Sequence, residues 1–505
     1  MEFLFLPLPI LLNAGWIFIL PLIMHLEIKL DNFSIKGVLS IFAALVINVV
    51  LGYQVLNFSK EKIISPDFSG ALPRHLVEFA ITRTNLATAF FVSVLFTAII
   101  FYSWRYMRWE TLLDDDGTYK LYYYFLMSTS FLGFQVIVFS NDAFLLFFGW
   151  EMMVVPGYAL IAIRPTKHAA RASYSYAVVS SLGSIFLLYG ISMIYQITGT
   201  FNLDIAATTI RAGDYSKDLS SWMAILLITI GVGVTAGFIG FQTWIPDAYS
   251  AATSPVGAFV SGTFTIASVF AYVNLIFRIF PSAIFGYSWI FIVGGLATMT
   301  VGNFGGIVQR DVRRILGYSS IAQRGYILFG FGVISIGQSS GINFYGIVNS
   351  MSVIVIFAIG FSFLEANLFM IIGKVLYVAQ FDVNSRDIYD LRGSLSNTPH
   401  TAMMFILSAL GLAGIPPTIG FTTKILLLLT AGKAGIEWWI ILLFLLNSVV
   451  ALIYYTNLLR IMLFTKREDP LDMSLSPGTV NTAIFLVSIF CILLGLAPNL
   501  IISLF

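Results

Sequence analysis

The chain has 505 residues, of which 58% are hydrophobic and only 10% charged. A soluble globular chain carries about 25% charged residues, so the composition excludes a water-surrounded fold and predicts a polytopic membrane protein. The net charge of +2, with no basic block, argues against a nucleic-acid partner; the single cysteine, Cys491, excludes a disulfide framework and a thiolate metal site.

The first run, "MEFLFLPLPILLNAGWIFILPLIM", lacks a basic leader and an obvious small-residue cleavage site, and reads as a first membrane helix rather than a removed signal. Cutting at charged or Pro/Gly-rich breaks predicts about 14 spans of bilayer length. They begin near residues 3, 37, 85, 121, 143, 171, 222, 254, 287, 315, 343, 401, 436 and 479. The longest connections, near 58–84, 198–221 and 374–400, hold roughly 20–30 residues each, too few for a large extramembrane domain. The acidic run at 114–116 reads as a solvated loop. His25, His75, His168 and His400 fall near predicted helix ends without metal-ligand spacing, and no nucleotide-binding glycine loop follows a strand pattern.

Loop charges orient the chain. One side receives 17 Lys and Arg residues, among them Arg164, Arg310, Arg313, Arg314 and Lys374, and the other receives 8, among them Arg211, Arg278 and Lys433. The richer side is expected in the cytoplasm, with both termini on the non-cytoplasmic side.

In the fifth span, "FFGWEMMVVPGYALIAIR", Glu151 stands near the middle of an apolar run. A charge at the centre of a membrane helix costs roughly 2.5–3.5 kcal/mol on insertion scales, so Glu151 is expected to face protein or water. Two later spans carry proline in their middle. In "GVTAGFIGFQTWIPDAYSAATSPVGAFVSG", Pro246 removes a backbone donor and the stretch through Pro255 cannot continue an ideal helix; "LSALGLAGIPPTIGFTTKILLLL" is broken at Pro416 and Pro417. Broken helices at corresponding places in two repeats point to an ion path in transporters. Here they fall in spans seven and twelve, five spans apart, which predicts an inverted five-helix repeat. The expected divisions are an N-terminal three-helix region over 1–119, repeats over 120–280 and 287–465, and a C-terminal helix over 466–505.

Lys424 lies two turns beyond the second break, too far from a loop to snorkel. Intramembrane ionisable residues are functional candidates by default; the alternative for Glu151 and Lys424 is a static pair holding two helices. Asp247 reads as a half-helix cap or a tie for the broken loop. Glu365 is expected near the cytoplasmic end of its span, feeding protons to Lys424 or simply solvated. Arg324 either compensates a neighbouring carboxylate or reaches the headgroups, and Arg310, Arg313 and Arg314 read as a basic cytoplasmic edge.

The motifs "WEMMVVPGYALIAI", "SLGSIFLLYGISMIYQITGTFNL", "FQTWIPDAYSAATSPV", "QRDVRRILGYSSIAQRGYILFGFG" and "GLAGIPPTIGFTTKILLL" resemble the antiporter-like subunits of respiratory complex I. The resemblance covers roughly residues 120–465 and is nearest to the subunit N type, with related members in membrane-bound hydrogenases and multisubunit sodium/proton antiporters. Subunit L is similar but extended by a long lateral helix. The resemblance implies an all-α fold of 14 membrane helices with two inverted five-helix repeats, working as a proton channel driven by redox chemistry on other subunits. It also implies a glutamate in span five, matched by Glu151, and a lysine in broken span twelve, matched by Lys424.

Other family positions are changed. The span-seven lysine, nine residues before the Trp of the WxPD motif, is Thr235 here, and no lysine occurs from residue 218 to 373, so the span-eight lysine is also missing. The histidine before WxPD is Gln242, the histidine of the "SSIAH" stretch is Gln323 followed by Arg324, and the span-six lysine is replaced near Ser175. Hydroxyls and amides can hydrogen-bond water but cannot hold a proton at neutral pH as lysine does.

The expected function is an antiporter-like membrane subunit of a complex I-like oxidoreductase. Its proton path would run through Glu151, Lys424, Glu365 and Thr235, with the first half-channel impaired. No cofactor or metal is expected on this chain, and the expected partners are other membrane subunits, lipid and, indirectly, a peripheral redox arm. The expected location is a prokaryotic cell membrane or an organelle inner membrane. The alternatives are a cation/proton antiporter or membrane-bound hydrogenase subunit, and a non-pumping structural subunit.

Overall fold

A computed structural model of the chain describes residues 8–28, 33–58, 63–64, 78–110, 118–213, 215–339, 350–379, 387–465, 476–496 and 504. The acidic run at 114–116 and the loop charges Lys29, Lys60, Lys62, Arg74, Arg386, Lys466 and Arg467 lie outside these residues, as does His75. Helices come first as α1 (Leu8–Ile28), α2 (Phe33–Asn57), α3 (Arg83–Glu110), α4 (Thr118–Phe139), α5 (Ala143–Ile161) and α6 (Lys167–Thr198). After them come α7 (Leu203–Ala212), α8 (Leu219–Ala236), α9 (Trp244–Ala251), α10 (Ser254–Tyr272), α11 (Ser282–Phe285) and α12 (Ser288–Ile307). The rest are α13 (Val312–Ser339), α14 (Ser350–Val378), α15 (Pro399–Ala413), α16 (Ile419–Lys433), α17 (Trp438–Leu459) and α18 (Gly478–Leu496). A two-residue antiparallel pair, β1 (Ile63–Ile64) with β2 (Ala80–Ile81), is a minor feature.

Among the described residues eleven helices are long and apolar enough to cross a membrane, and the chain is an integral membrane protein. Helix starts are set by local chemistry. The Asp142 carboxylate accepts the backbone N–H groups of Phe144 and Leu145, both at 2.9 Å, and opens α5; the Thr166 hydroxyl accepts that of Ala169 at 3.1 Å and opens α6. These satisfy donors that a helix N-terminus otherwise leaves unpaired. The connection expected over 198–221 forms the ten-residue helix α7, too short to span. It is anchored by Arg278, which donates to Asp204 at 2.5 Å and to Asn141 at 2.6 Å, and by Glu78, which accepts from Asn141 and Asn202.

α10 and α14 form the centre. The spanning stretch of α14 is 100% buried and that of α10 94%, whereas α2, α6 and α17 are only 33% buried and present apolar faces outward. Without an oil–water difference to drive helices together, membrane packing relies on close contact through small residues. α12 and α13 meet this way: a Cβ on Gly302 would stand 2.5 Å from the Ala322 nitrogen, and one on Gly325 as near the backbone of Met299.

Both proline-bearing spans are broken, but the first breaks earlier than Pro246. α8 stops at Gly237, whose φ of +71° caps it, and the chain runs through turns to α9. Pro246 is the third residue of α9, where the backbone N–H has no intrahelical partner to lose. The stretch before Pro255 does leave the helix, as expected: Ala252 and Thr253 are extended between α9 and α10, and Pro255 occupies the first turn of α10. The second break lies where expected: α15 ends at Gly414 (φ +92°), and Pro416 and Pro417 occupy the gap before α16.

Candidate functional site: a buried polar axis

The second break leaves carbonyls at the end of α15 without helical partners, and that end carries partial negative charge. Lys424, on α16, folds back onto it. Its Nζ donates to the Leu412 carbonyl at 3.0 Å and the Ala413 carbonyl at 3.3 Å, and lies 4.5 Å from the centre of the Tyr326 ring. The side chain is only 5% exposed and does not snorkel. Gln323, on α13, donates to the same Leu412 carbonyl at 2.9 Å.

Glu365 sits in the middle of α14, not near its end, and is 0% exposed. The solvated alternative is thereby overturned. Neither carboxylate oxygen has a well-formed hydrogen bond, although Ser320 lies beside it. The positive charge of Arg324 acts on it, and Tyr249 and Tyr455 lie within electrostatic range.

Arg324 is buried and reaches no headgroup. Its Nη2 donates to the Tyr249 hydroxyl at 2.9 Å and its Nε to the Thr265 hydroxyl at 3.0 Å. Tyr249 and Ser320 share a hydrogen bond at 3.4 Å. Tyr455 is hydrogen-bonded to Ser319 and lies by Gln323. Polar groups therefore run from Arg324 past Glu365 to Gln323 and Lys424.

In the first half, Glu151 is half-buried, and its Oε1 is enclosed without a hydrogen bond. It lies in range of Tyr158 and Tyr176, and Tyr176 in turn feels Tyr249 and Arg324. The Tyr176 ring stacks on Trp244, centroids 3.9 Å apart, which seats α9 against α6. Thr235 is buried in the last turn of α8, its hydroxyl unpartnered.

Asp247 ties the broken span: it pairs with Arg314 of α13 at 3.0 Å. Arg313 is not a loop-edge charge. It is buried, and donates to the Ala252 carbonyl at 3.0 Å and the Ser254 hydroxyl at 3.2 Å across the α9–α10 junction. Arg164 is buried too and reaches the Ala251 carbonyl at 3.5 Å, while Lys374 donates to Thr401 at 2.7 Å. Three of the cations that set the orientation are thus internal fasteners.

The structure links Arg324 with Glu365 and, through Tyr455, Gln323 and the shared Leu412 carbonyl, with Lys424, while Glu151 connects to this set only through Tyr176. Tyr249, Thr265, Ser320, Tyr326 and Tyr455 are members of it that helix periodicity did not single out. Such an array of ionisable groups spaced by hydroxyls can pass protons where neighbours lie within hydrogen-bond reach.

The sequence profile described as "NADH:quinone oxidoreductase/Mrp antiporter, TM" matches residues 140–451, which contain both breaks and every residue of the axis except Tyr455. The NADH-quinone oxidoreductase subunit N of Paraburkholderia phymatum is 29% identical over 418 residues, covering 82% of this chain and 81% of that protein. That of Acidithiobacillus ferrooxidans is 28% identical over 480 residues, 93% and 92% of the two chains. Among solved structures, a chain of the archaeal membrane-bound sulfane sulfur reductase shares the fold with a TM-score of 0.84 at 22% identity, covering 98% of this chain and 95% of that one. A chain of the Mrp complex from a Dietzia species gives 0.78 at 21% identity, with 99% and 95% covered. A chain of respiratory complex I from Thermus thermophilus gives 0.73 at 20%, with 98% of each covered. The chain belongs to the NADH:quinone oxidoreductase/Mrp antiporter membrane family.

Proposed function

We propose that this chain is a proton-translocating, antiporter-like subunit, nearest the N type, of a complex I-like respiratory oxidoreductase. Its 14 spans would form two inverted repeats, 120–280 and 287–465, each contributing one broken span. Electron transfer would take place on other subunits, and this chain would hold no cofactor of its own. It would sit against other membrane subunits and lipid, linked through them to a peripheral redox arm, with both termini on the non-cytoplasmic side. The observation that carries this reading is Lys424, an ammonium held on the open carbonyls of a broken helix and buried beside a line of polar groups. Glu365 and Lys424 would carry protons in the second half. Thr235 has no ionisable group, so a proton arriving from Glu151 cannot be held there.

The test is Lys424→Ala in the purified complex reconstituted into vesicles, with proton uptake read by a pH-sensitive dye. Protons moved per electron should fall to less than half while electron transfer persists. Unchanged coupling in a fully assembled variant would sink the role. A non-pumping scaffold is the second reading, favoured by Thr235, and it predicts that unchanged coupling.

A further inference from the structure

The two breaks are built alike in one respect beyond their glycines. A Cβ on Gly414 would stand 3.5 Å from the Nζ of Lys424, and a Cβ on Gly237 would stand 3.5 Å from the Nη1 of Arg324. Each half-helix therefore ends against a buried cation, although only Lys424 comes from the broken span itself. Arg324 comes from α13. Its Nε and Nη2 are engaged by Thr265 and Tyr249, while Nη1 is buried without a partner. Beside it lies a small cavity lined by Ala236, Thr265, Ser268, Tyr272 and Arg324 among others, with room for about one water molecule. Charge is thus present at the first break even though Thr235 provides none.

We propose that Arg324, Tyr249, Ser320 and Glu365 form one proton-transfer site at the junction of the two halves, with Arg324 as its fixed cation and Glu365 as its proton carrier. This rests on the proton-translocating reading above. Arginine stays protonated in proteins, so Arg324 positions and polarises and does not itself exchange. Because Arg324 donates to the Tyr249 oxygen, the Tyr249 proton is free to point at Ser320. A proton arriving on the Tyr249 oxygen releases the one Tyr249 shares with Ser320. Ser320 passes its own to Glu365, and each hydroxyl ends with the proton count it began with. Among the described residues no ion pair joins Arg324 to Glu365 directly; in this proposal the hydroxyls of Tyr249 and Ser320 supply the route, and the Ser320 hydroxyl turns to reach a Glu365 oxygen with which it has no formed hydrogen bond. Both oxygens of Glu365 lack a well-formed hydrogen bond, which leaves them able to accept.

The experiment uses the assembled complex in vesicles and reads protons per electron. Arg324→Met should lower the ratio at least twofold. Thr265→Lys in that background should recover at least half of the loss, because residue 265 lies 3.0 Å from the guanidinium and a lysine there returns a cation to the vacated space. A merely structural arginine would not be rescued by a charge delivered from another helix. Full coupling in Arg324→Met, or no recovery with Thr265→Lys, would overturn the assignment. Should Arg324→Met fail to assemble, Arg324→Lys provides the comparison. It should keep most of the coupling, and a ratio as low as that of Glu365→Gln would refute the fixed-cation role. Lys424→Ala is measured in parallel. If it uncouples while Arg324→Met does not, the junction site falls and the proton-translocating reading stands; if neither does, both fall.

Discussion

Gly414→Ala tests whether the position of the Lys424 ammonium matters, without removing it. The φ of +92° at Gly414 is a conformation in which an L side chain costs about 1–2 kcal/mol. The new Cβ would also stand 2.9 Å from the Cδ of Lys424. Ordinary contact there demands that the lysine tail retreat by about 0.5 Å, since carbon atoms pack at about 3.5–4.0 Å and the backbone yields a little. A shift of that size takes the 3.3 Å bond to Ala413 out of hydrogen-bond range and stretches the 3.0 Å bond to Leu412 to its limit. The Leu412 carbonyl keeps Gln323, so the open end of α15 stays partly satisfied and the complex should assemble. Proton transfer through this site should slow about two- to fivefold, equivalent to roughly 0.4–1 kcal/mol on its barrier, and protons moved per electron should fall with it. Gly414→Asn separates the two effects. Asn tolerates the left-handed conformation better, so stability should recover while the coupling defect remains, because the Cβ is still there. Wild-type coupling in both variants, with stability lowered only in the first, would refute the claim that lysine placement at the break controls transfer.

Arg313→Met removes two charged hydrogen bonds across the α9–α10 junction, each worth about 1.5–3 kcal/mol, against the cost of keeping the guanidinium buried. The net expectation is a destabilisation of about 1–3 kcal/mol, seen as a lower thermal midpoint of the detergent-purified complex; an unchanged midpoint would show that the junction does not depend on the clamp. Glu151→Gln alone should lower protons per electron less than Lys424→Ala, and it should cost more when Thr235→Lys first gives the α8 end a titratable group. Abolition of pumping by Glu151→Gln in the native background, with the complex intact, would mean that the first-half path is open after all.

What could be read from the sequence follows the range over which each signal acts. The second break, Lys424 and the mid-span place of Glu151 are local: a proline pair or a charge in an apolar run is visible without knowing any neighbour. The first span is interrupted twice, and only the interruption before Pro255 lies where the sequence put it; Pro246 stands in the first turn of α9, which has no use for the missing donor, so the earlier break is at Gly237 instead. Counting loop charges saw the sign of Arg313 and Arg164 but not their burial. Of the cluster of Tyr249, Thr265, Arg324 and Glu365, the sequence suggested only that Arg324 could face some carboxylate, not which one nor through which hydroxyls. The cluster's members stand on α9, α10, α13 and α14, and hydrophobic periodicity says which face of a helix is buried without saying which helices meet there.

The eight-residue α9 is fastened to α13 along its whole length. Asp247 holds Arg314 near its start, Pro246 lies against Gly317 where a Cβ would come within 2.8 Å, and Arg313 grips the carbonyl just past its end. α9 is therefore tied to α13 at several points, and to α6 and α8 through Trp244, which stacks on Tyr176 and donates to the Val234 carbonyl. A displacement of α13 would act on α9 through these ties as well as on Arg324, Ser320 and Gln323, which α13 itself bears. The non-helical links on either side of α9 are residues 237–243 and 252–253. One rod therefore addresses both breaks at once, and a displacement transmitted along it would change the register of Arg324 against Gly237 and of Gln323 against Leu412 in the same stroke.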